Sequence, residues 1–433
     1  MTIINWIISN VLTQAAVVIG LIALLGLALQ KKSVGEVLTG TFSTMLGFLV
    51  LSAGSAVVQA SLTYFGDVFN FGFGLTGTSG ALVASIEGIN GQAMNELGLG
   101  GSIALTLLGI FIVNIILARV TKFKYVFLTG QALLWMSTLT VVGFFFTGLR
   151  GPALVIAASI LGGIFATMMP AIAQPIMRKI MGSDDIALGH FCTIGYLVAA
   201  GVSKVTGDVD HSTEDVKLPE SLSFLSDTYV SVWVVMFIFY LVAAIAGGDA
   251  GYQYYLESIG SSSSLHWLVA CFLQSLQFVV GLYVLMSGVR LLLANIVPAF
   301  QGISMKLVPD ARPALDCPVT FAYAPNAVIM GFIFTTIGSI IGMFLTMAIP
   351  GLPIVIPGVM SNFFAGGTAG VFCNAVGGRR GTIIGCIAHG IFIMLIPAIL
   401  GPMLAQVGFV NLTVTDVDTA LAGMLAMLPG LFG

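Results

Sequence analysis

The chain has 433 residues, 58% of them hydrophobic and 8% charged, whereas a soluble domain carries roughly a quarter charged residues, so there is too little polar surface to face water. A formal net charge of −3 comes with no basic stripe to neutralise phosphates, which excludes a nucleic-acid partner. Counting domains by length loses its meaning, because each crossing helix needs about 20 apolar residues and the number of crossings sets the architecture.

Asp, Glu, Lys or Arg at the centre of a membrane helix costs about 2.5–3.5 kcal/mol, so runs free of all four mark the spans. In chain order these are Ile3 to Gln30, Val37 to Gly66, Leu97 to Ala118, Tyr125 to Leu149, Gly151 to Met177, Thr228 to Gly248 and Ser258 to Val289. A 62-residue run from Cys317 to Gly378 is long enough for two crossings and a broken segment, and Gly381 to Thr415 and Leu421 to Gly433 complete the series. The pattern predicts an all-α polytopic membrane protein with ten to twelve crossings, about 11. The first Lys lies behind a full-length apolar run, not before a short one, so the first helix reads as a span and not as a cleaved signal. Lys31 and Lys32, then Arg119, Lys122 and Lys124, then Arg178 and Lys179, agree on one orientation, with the N-terminus outside.

Polar sections interrupt these runs. Lys204 to Asp227 gathers acids with Ser, Thr and Pro; a solvated connection and a docking surface both fit it. Ser258 to Ser264 has the composition of a flexible linker. Ile186 to Ser203 is marginal in length and either crosses or dips in and returns. A weak internal match lays Ser33–Phe48 on Gly288–Ile303, pairing Val34 with Val289, which points to two repeat-like units near 5–185 and 265–415.

Non-helical backbone at membrane depth is tolerated only where protein or a water-filled cavity satisfies it. Glycine, proline and asparagine inside apolar runs therefore indicate the working part. Three places stand out: Gly72 to Gly101, which holds Glu87 and Glu96; Asp316 to Val328; and Ile356 to Gly381, read as a re-entrant hairpin. An ionisable residue within the membrane is a functional candidate by default, and Asp316, which precedes the longest uncharged run, can accept hydrogen bonds from a polyol. His190 is the second candidate, against the reading of a satisfied structural histidine. Glu87 reads as a membrane-edge residue. Gln131 and Trp135 lie four apart, hence on one helix face, an amide beside an indole that suits a sugar as well as it suits packing. The five cysteines lie in apolar sequence without CxxC spacing and read as core, not as metal ligands or disulfides. Four scattered histidines without an HExxH pattern argue against a membrane enzyme, and no metal or cofactor is expected.

KSVGEVLTGTFSTMLGFLVLSAGS near the N-terminus, FQGIS at Phe300 to Ser304, ALDCPVTFAYAPNAVIMGF at Ala314 to Phe332, and IPGVMSNFFAGGTAGVFCNAVGGRRG resemble the ascorbate-type EIIC permeases of the phosphotransferase system, in the same order over nearly the whole chain. The resemblance implies a single integral-membrane EIIC domain over 1–433, with a core transport domain, a V-motif scaffold, re-entrant hairpins and two related repeats. It further implies a homodimer in the bacterial cytoplasmic membrane that carries its sugar by an elevator-like motion. Separate EIIB and EIIA proteins supply the phosphoryl group, with no fused EIIA or EIIB domain expected here. The family's aspartate falls on Asp316 and the histidine of its GHQQ-type motif on His190, followed here by Phe191. Gln131 stands where its TGH motif has histidine, Trp135 where it has a polar residue one turn later, and Leu82 and Val83 where it has a Thr-Tyr pair. By this resemblance the substrate-binding residues are His190, Asp316, Gln131, Trp135 and Phe191, and the departures imply a re-formed site or another sugar. An ion-coupled carrier working without EIIB fits the composition equally well.

Overall fold

The computed structural model describes residues 15–74, 81–216, 224, 227–409 and 412–431. Thirteen α-helices and six very short strands follow one another among these residues. Helix α1 (Ala15–Leu29) leads to α2 (Val34–Gly72), whose start is set by a capping box: Glu36 N–H donates to the Ser33 hydroxyl at 3.3 Å and Ser33 N–H to the Glu36 carboxylate at 2.9 Å. Then come β1 (Leu82–Ala84), α3 (Ile86–Asn95), α4 (Gly100–Val120), β2 (Tyr125–Phe127), α5 (Gly130–Phe146), α6 (Gly151–Met181), β3 (Ala187–Leu188) and α7 (Thr193–Thr206). After α8 (Thr228–Ser258) the succession recurs: α9 (Trp267–Leu307), β4 (Arg312–Leu315), α10 (Pro318–Phe321), α11 (Pro325–Ala348), β5 (Val355–Ile356), α12 (Val359–Val407), β6 (Leu412–Thr413) and α13 (Val417–Leu431).

Among the described residues seven helices are long and apolar enough to cross a membrane, those of α2, α4, α6, α8, α9, α11 and α12, so the chain is a multi-pass membrane protein. The sequence predicts about eleven crossings, counting shorter apolar helices such as α5 and α13 with the long ones. Helix α12 contains two limbs. At Gly378 the backbone takes φ +57° and ψ −161°, a left-handed conformation open to glycine. The chain turns back there, so that Gly385 rests on the Cys373 sulfur and both Gly377 and Gly381 lie against Ser203. The stretch read as a hairpin over Ile356–Gly381 is thus a strand end, one helical limb and the turn, with the return limb running on to Val407. All five cysteines are buried free thiols.

The six strands add to the predominantly helical fold that the sequence predicts. They form two three-stranded parallel sheets, in the orders β5-β1-β6 and β2-β4-β3. In the first, Leu82 pairs with Val355 and Val83 with Leu412; in the second, Phe127 pairs with Ala314 and Leu188 with Leu315. Pieces of two to four residues are too short to show a period of two, so they vanish inside apolar sequence. Their edges still need partners, since no water reaches them. Asn114 of α4 acts as a surrogate strand for β2: its amide donates to the Tyr125 carbonyl at 3.1 Å and accepts from Phe127 N–H at 2.9 Å. Gln174 donates to the Ile186 carbonyl beside β3 at 3.2 Å. Arg178 and Arg312 meet Asp184 at 2.8 and 2.7 Å and close the entry end of this sheet; with the Arg178 guanidinium bonded to it, the Asp184 carboxyl lies below the ordinary carboxylate range.

Helices α2 and α9 pack antiparallel at close range. A side chain added at Gly54 would strike the backbone of Leu285, one at Gly288 the backbone of Leu51, and one at Gly281 that of Val58, the small-residue packing that membrane helices use in place of a hydrophobic drive. This places α2 beside the first helix of the second succession. Val34 opens α2, whereas Val289 lies deep within α9, so the sequence match is out of register with the observed elements. Helix α8 joins this pair, its Tyr240 hydroxyl bonded to Ser61 of α2. The remaining long helices cluster separately, with α11 against both limbs of α12 through Gly331 and Gly338.

The stretch after α7 is no free tether. Asp208 N–H donates to the Gly377 carbonyl at 2.8 Å, and the Glu214 carboxylate accepts from Asn326 and Ala327 N–H at 3.2 and 3.0 Å, capping α11. Residues 217–223 and 225–226 of the acidic section, 75–80 of the first glycine-rich section and the first 14 residues lie outside those described.

Candidate functional site

Each of the six strands is followed within a few residues by a helix, and the junctions meet. One cavity is lined by Ile86 and Glu87 after β1, Gln131 and Trp135 after β2, and His190 after β3. Asp316 follows β4, Ser361, Phe364 and Ala365 follow β5, and Asp416 follows β6 in the same lining. Parallel sheets place all their carboxyl ends on one edge, the usual position of ligands in parallel sheets. Here two such edges share one cavity. Every lining residue comes from outside the α2–α8–α9 group.

Four of the five sequence candidates are together here: His190, Asp316, Gln131 and Trp135. Phe191 is not among the lining residues. It is 1% exposed and its ring stacks on Phe127 at 4.5 Å, beneath the site; an aromatic in that position holds β2 against the β3 junction. Leu82 and Val83 lie within β1 itself, so the first junction presents Ile86 and Glu87 instead. Glu87, expected at a membrane edge, is 8% exposed inside the cavity. Asp416 escaped the sequence reading, although it ends the uncharged run Gly381 to Thr415 just as Asp316 precedes another.

The polar groups are held by neighbours. The Tyr196 hydroxyl of α7 meets His190 Nδ1 at 2.7 Å and fixes the ring, leaving Nε2 as the nitrogen not bound by Tyr196. Cys317 N–H donates to Asp316 at 2.8 Å. Ser85 caps α3 by accepting from Gly88 N–H at 3.2 Å, while its hydroxyl donates to Glu87 at 2.9 Å. Asp418 of α13 accepts from Thr193 and Ile194 N–H at 2.7 and 3.1 Å, so a carboxylate from the last helix caps α7 and ties the His190 junction to the Asp416 junction. Donor atoms of His190, Asp316 and Cys317 lie within 4.8 Å of one another. The three are engaged within the cluster, Cys317 Sγ with Tyr196 at 3.6 Å. The arrangement suits hydrogen bonding to a polyhydroxylated solute, with Trp135 as an apolar wall, and has no nucleophile–base pair among its lining residues.

A second, apolar cavity adjoins it. Glu87 and Ser361 line both, and the second is otherwise bounded by Leu62 and Phe65 of α2, Met236 and Phe239 of α8, Phe278 of α9 and the ends of β1 and β5.

Comparison with known proteins gives the family. Residues 10–418 match the EIIC-GAT family, described as the sugar-specific permease component of the phosphotransferase system. The chain is also 28% identical over 423 residues to the ascorbate-specific PTS system EIIC component of Mycoplasma pneumoniae, a similarity covering 87% of this chain and 63% of that protein. The chain therefore spans less than two thirds of that relative's length. Because the family match covers nearly the whole chain, this protein belongs to the EIIC-GAT family of phosphotransferase permease components, which are transporter subunits and not themselves catalytic.

Proposed function

We propose that this chain is the sugar-translocating subunit of a phosphoenolpyruvate-dependent phosphotransferase system, taking up ascorbate or a related sugar acid or polyol. The observation that carries this reading is the convergence of six strand-to-helix junctions on one polar cavity inside an otherwise apolar chain. His190 and Asp316 bond substrate hydroxyls, while Gln131 and Trp135 shape the cavity; Phe191 supports it from below.

The recurring element order supports two related units, and the antiparallel pairing of α2 with α9 supports opposite membrane orientations for them. We read α2, α8 and α9 as the scaffold and the remaining long helices as the moving core. All lining residues of the site belong to that core, and the seam toward the scaffold is apolar; both are what a core that carries its cargo past a fixed wall requires. A separate EIIB protein phosphorylates the arriving sugar at the cytoplasmic face and receives its phosphoryl group from EIIA. The protein works as a homodimer in the bacterial cytoplasmic membrane, with its N-terminus outside.

Uptake of radiolabelled ascorbate, pentitols, hexitols and sugar acids, measured in cells with and without the cognate EIIB, tests this. Phosphorylated product that forms only with EIIB is the expected result. Unmodified solute that accumulates without EIIB and is lost with the ion gradient would replace the reading with an ion-coupled carrier.

A further inference from the structure

The charge lining the cavity points to the class of substrate. Glu87, Asp316 and Asp416 face it together with one imidazole, His190, and neither Lys nor Arg is in the lining. Glu87 and Asp416 are more than nine-tenths buried, at 8% and 7% exposure. Their partners are few. Glu87 accepts from Ser85 and Asp316 from the Cys317 N–H. The Asp416 carboxylate accepts no hydrogen bond among the described residues, and the neighbouring hydroxyls of Thr415 and Thr419 are themselves buried without partners.

Ionised carboxylates only accept hydrogen bonds, so a buried one facing a cavity is completed by a donor. The hydroxyls of an uncharged polyol are donors. A sugar acid anion instead brings a further negative charge to a place where like charges are poorly screened. Helix N-termini, the other source of positive potential, are partly occupied: Ser85 takes the Gly88 N–H of α3, and Asp418 takes the first two of α7.

We propose that Glu87 and Asp416 are specificity-determining residues that select an uncharged polyol over a sugar acid anion, each accepting a hydrogen bond from a substrate hydroxyl. This rests on the reading of the cavity as the sugar site of a permease. It makes the substrate differ in charge from the one that the relative's name specifies.

Binding of a hexitol, a pentitol and L-ascorbate to the purified full chain in lipid nanodiscs at pH 7 tests the proposal without any partner protein. The best polyol is expected to bind at least about tenfold more tightly than ascorbate, a ratio that corresponds to about 1.4 kcal/mol. Glu87→Gln and Asp416→Asn should each weaken the polyol and narrow that ratio. If either variant fails to fold, the other and the wild-type ratio still decide. Ascorbate binding at least as tightly as every polyol, or a ratio that neither variant moves, overturns the inference while leaving the permease reading intact. A wild-type protein that binds none of the three, yet is folded, sinks the site reading and this inference with it.

Discussion

The two small sheets are alike in topology and unlike in how they are held. In each, the first strand of one succession lies between the second and third strands of the other. The β2-β4-β3 sheet is braced by Asn114 on one edge and Gln174 on the other, and is closed at its entry by Arg178, Asp184 and Arg312. On the β5-β1-β6 sheet, Val355 N–H meets the Thr346 hydroxyl at 3.4 Å and the Thr413 hydroxyl donates to the Pro397 carbonyl at 2.9 Å. The braced sheet presents Gln131, His190 and Asp316; the other presents Glu87, Ser361 and Asp416. One architecture thus serves a firmly positioned half-site and a half-site whose contribution is charge.

The comparison breaks first at the braced half-site. His190→Ala and Asp316→Asn are expected to lower uptake by at least about a hundredfold, the effect of about 3 kcal/mol on a barrier, with folded protein still in the membrane. Normal uptake by both variants removes these residues from the site. Next is the tie between the halves: Asp418→Ala strips two charge-assisted bonds from the start of α7 and should cost about 2–3 kcal/mol, read as a lower melting temperature together with reduced uptake. An unchanged melting temperature would mean that the cap is idle. The bracing itself is tested by Asn114→Leu, which leaves buried backbone groups of β2 unpaired and should cost about 1–3 kcal/mol in a melting experiment, whereas Thr346→Val on the other sheet should cost less. Equal losses would erase the distinction drawn here.

The smallest effect belongs to Asp184. Asp184 and Arg312 are about one-third exposed and Arg178 about half, so Asp184→Asn should cost less than about 1 kcal/mol. Its carboxyl is depressed in the folded protein, so its contribution is complete above the ordinary carboxylate value near 3.9. That contribution is lost as pH falls through the lower, folded value. Melting temperatures of wild type and variant should therefore differ equally at pH 7 and pH 5 and converge only in stronger acid.

Much of this molecule could be read from residues alone, for stated reasons. Long spans are legible because a charge at membrane depth is expensive, and Asp316 stood out as a carboxylate at the edge of the longest uncharged run. Asp416 carried the same signal, in TVTDVDT at the end of an uncharged run, and was not singled out. Glu87 lay in a glycine-rich section marked as part of the working region, yet read there as a membrane-edge residue. The strands were invisible because pieces of two to four residues show no periodicity, and adjacency to His190 says nothing about which way the Phe191 ring turns, which the structure stacks on Phe127.

The exchange of strands between the two halves has a consequence for biosynthesis. Leu82–Ala84 leaves the ribosome long before Val355–Ile356 and Leu412–Thr413, its sheet partners among the described residues. At about 5–20 residues per second the first strand waits tens of seconds. During that time its unpaired backbone must be shielded within the membrane by other means. Neither half can complete a sheet alone, so a chain that stalls before residue 412 leaves the translocation machinery with an open edge, a natural mark for quality control.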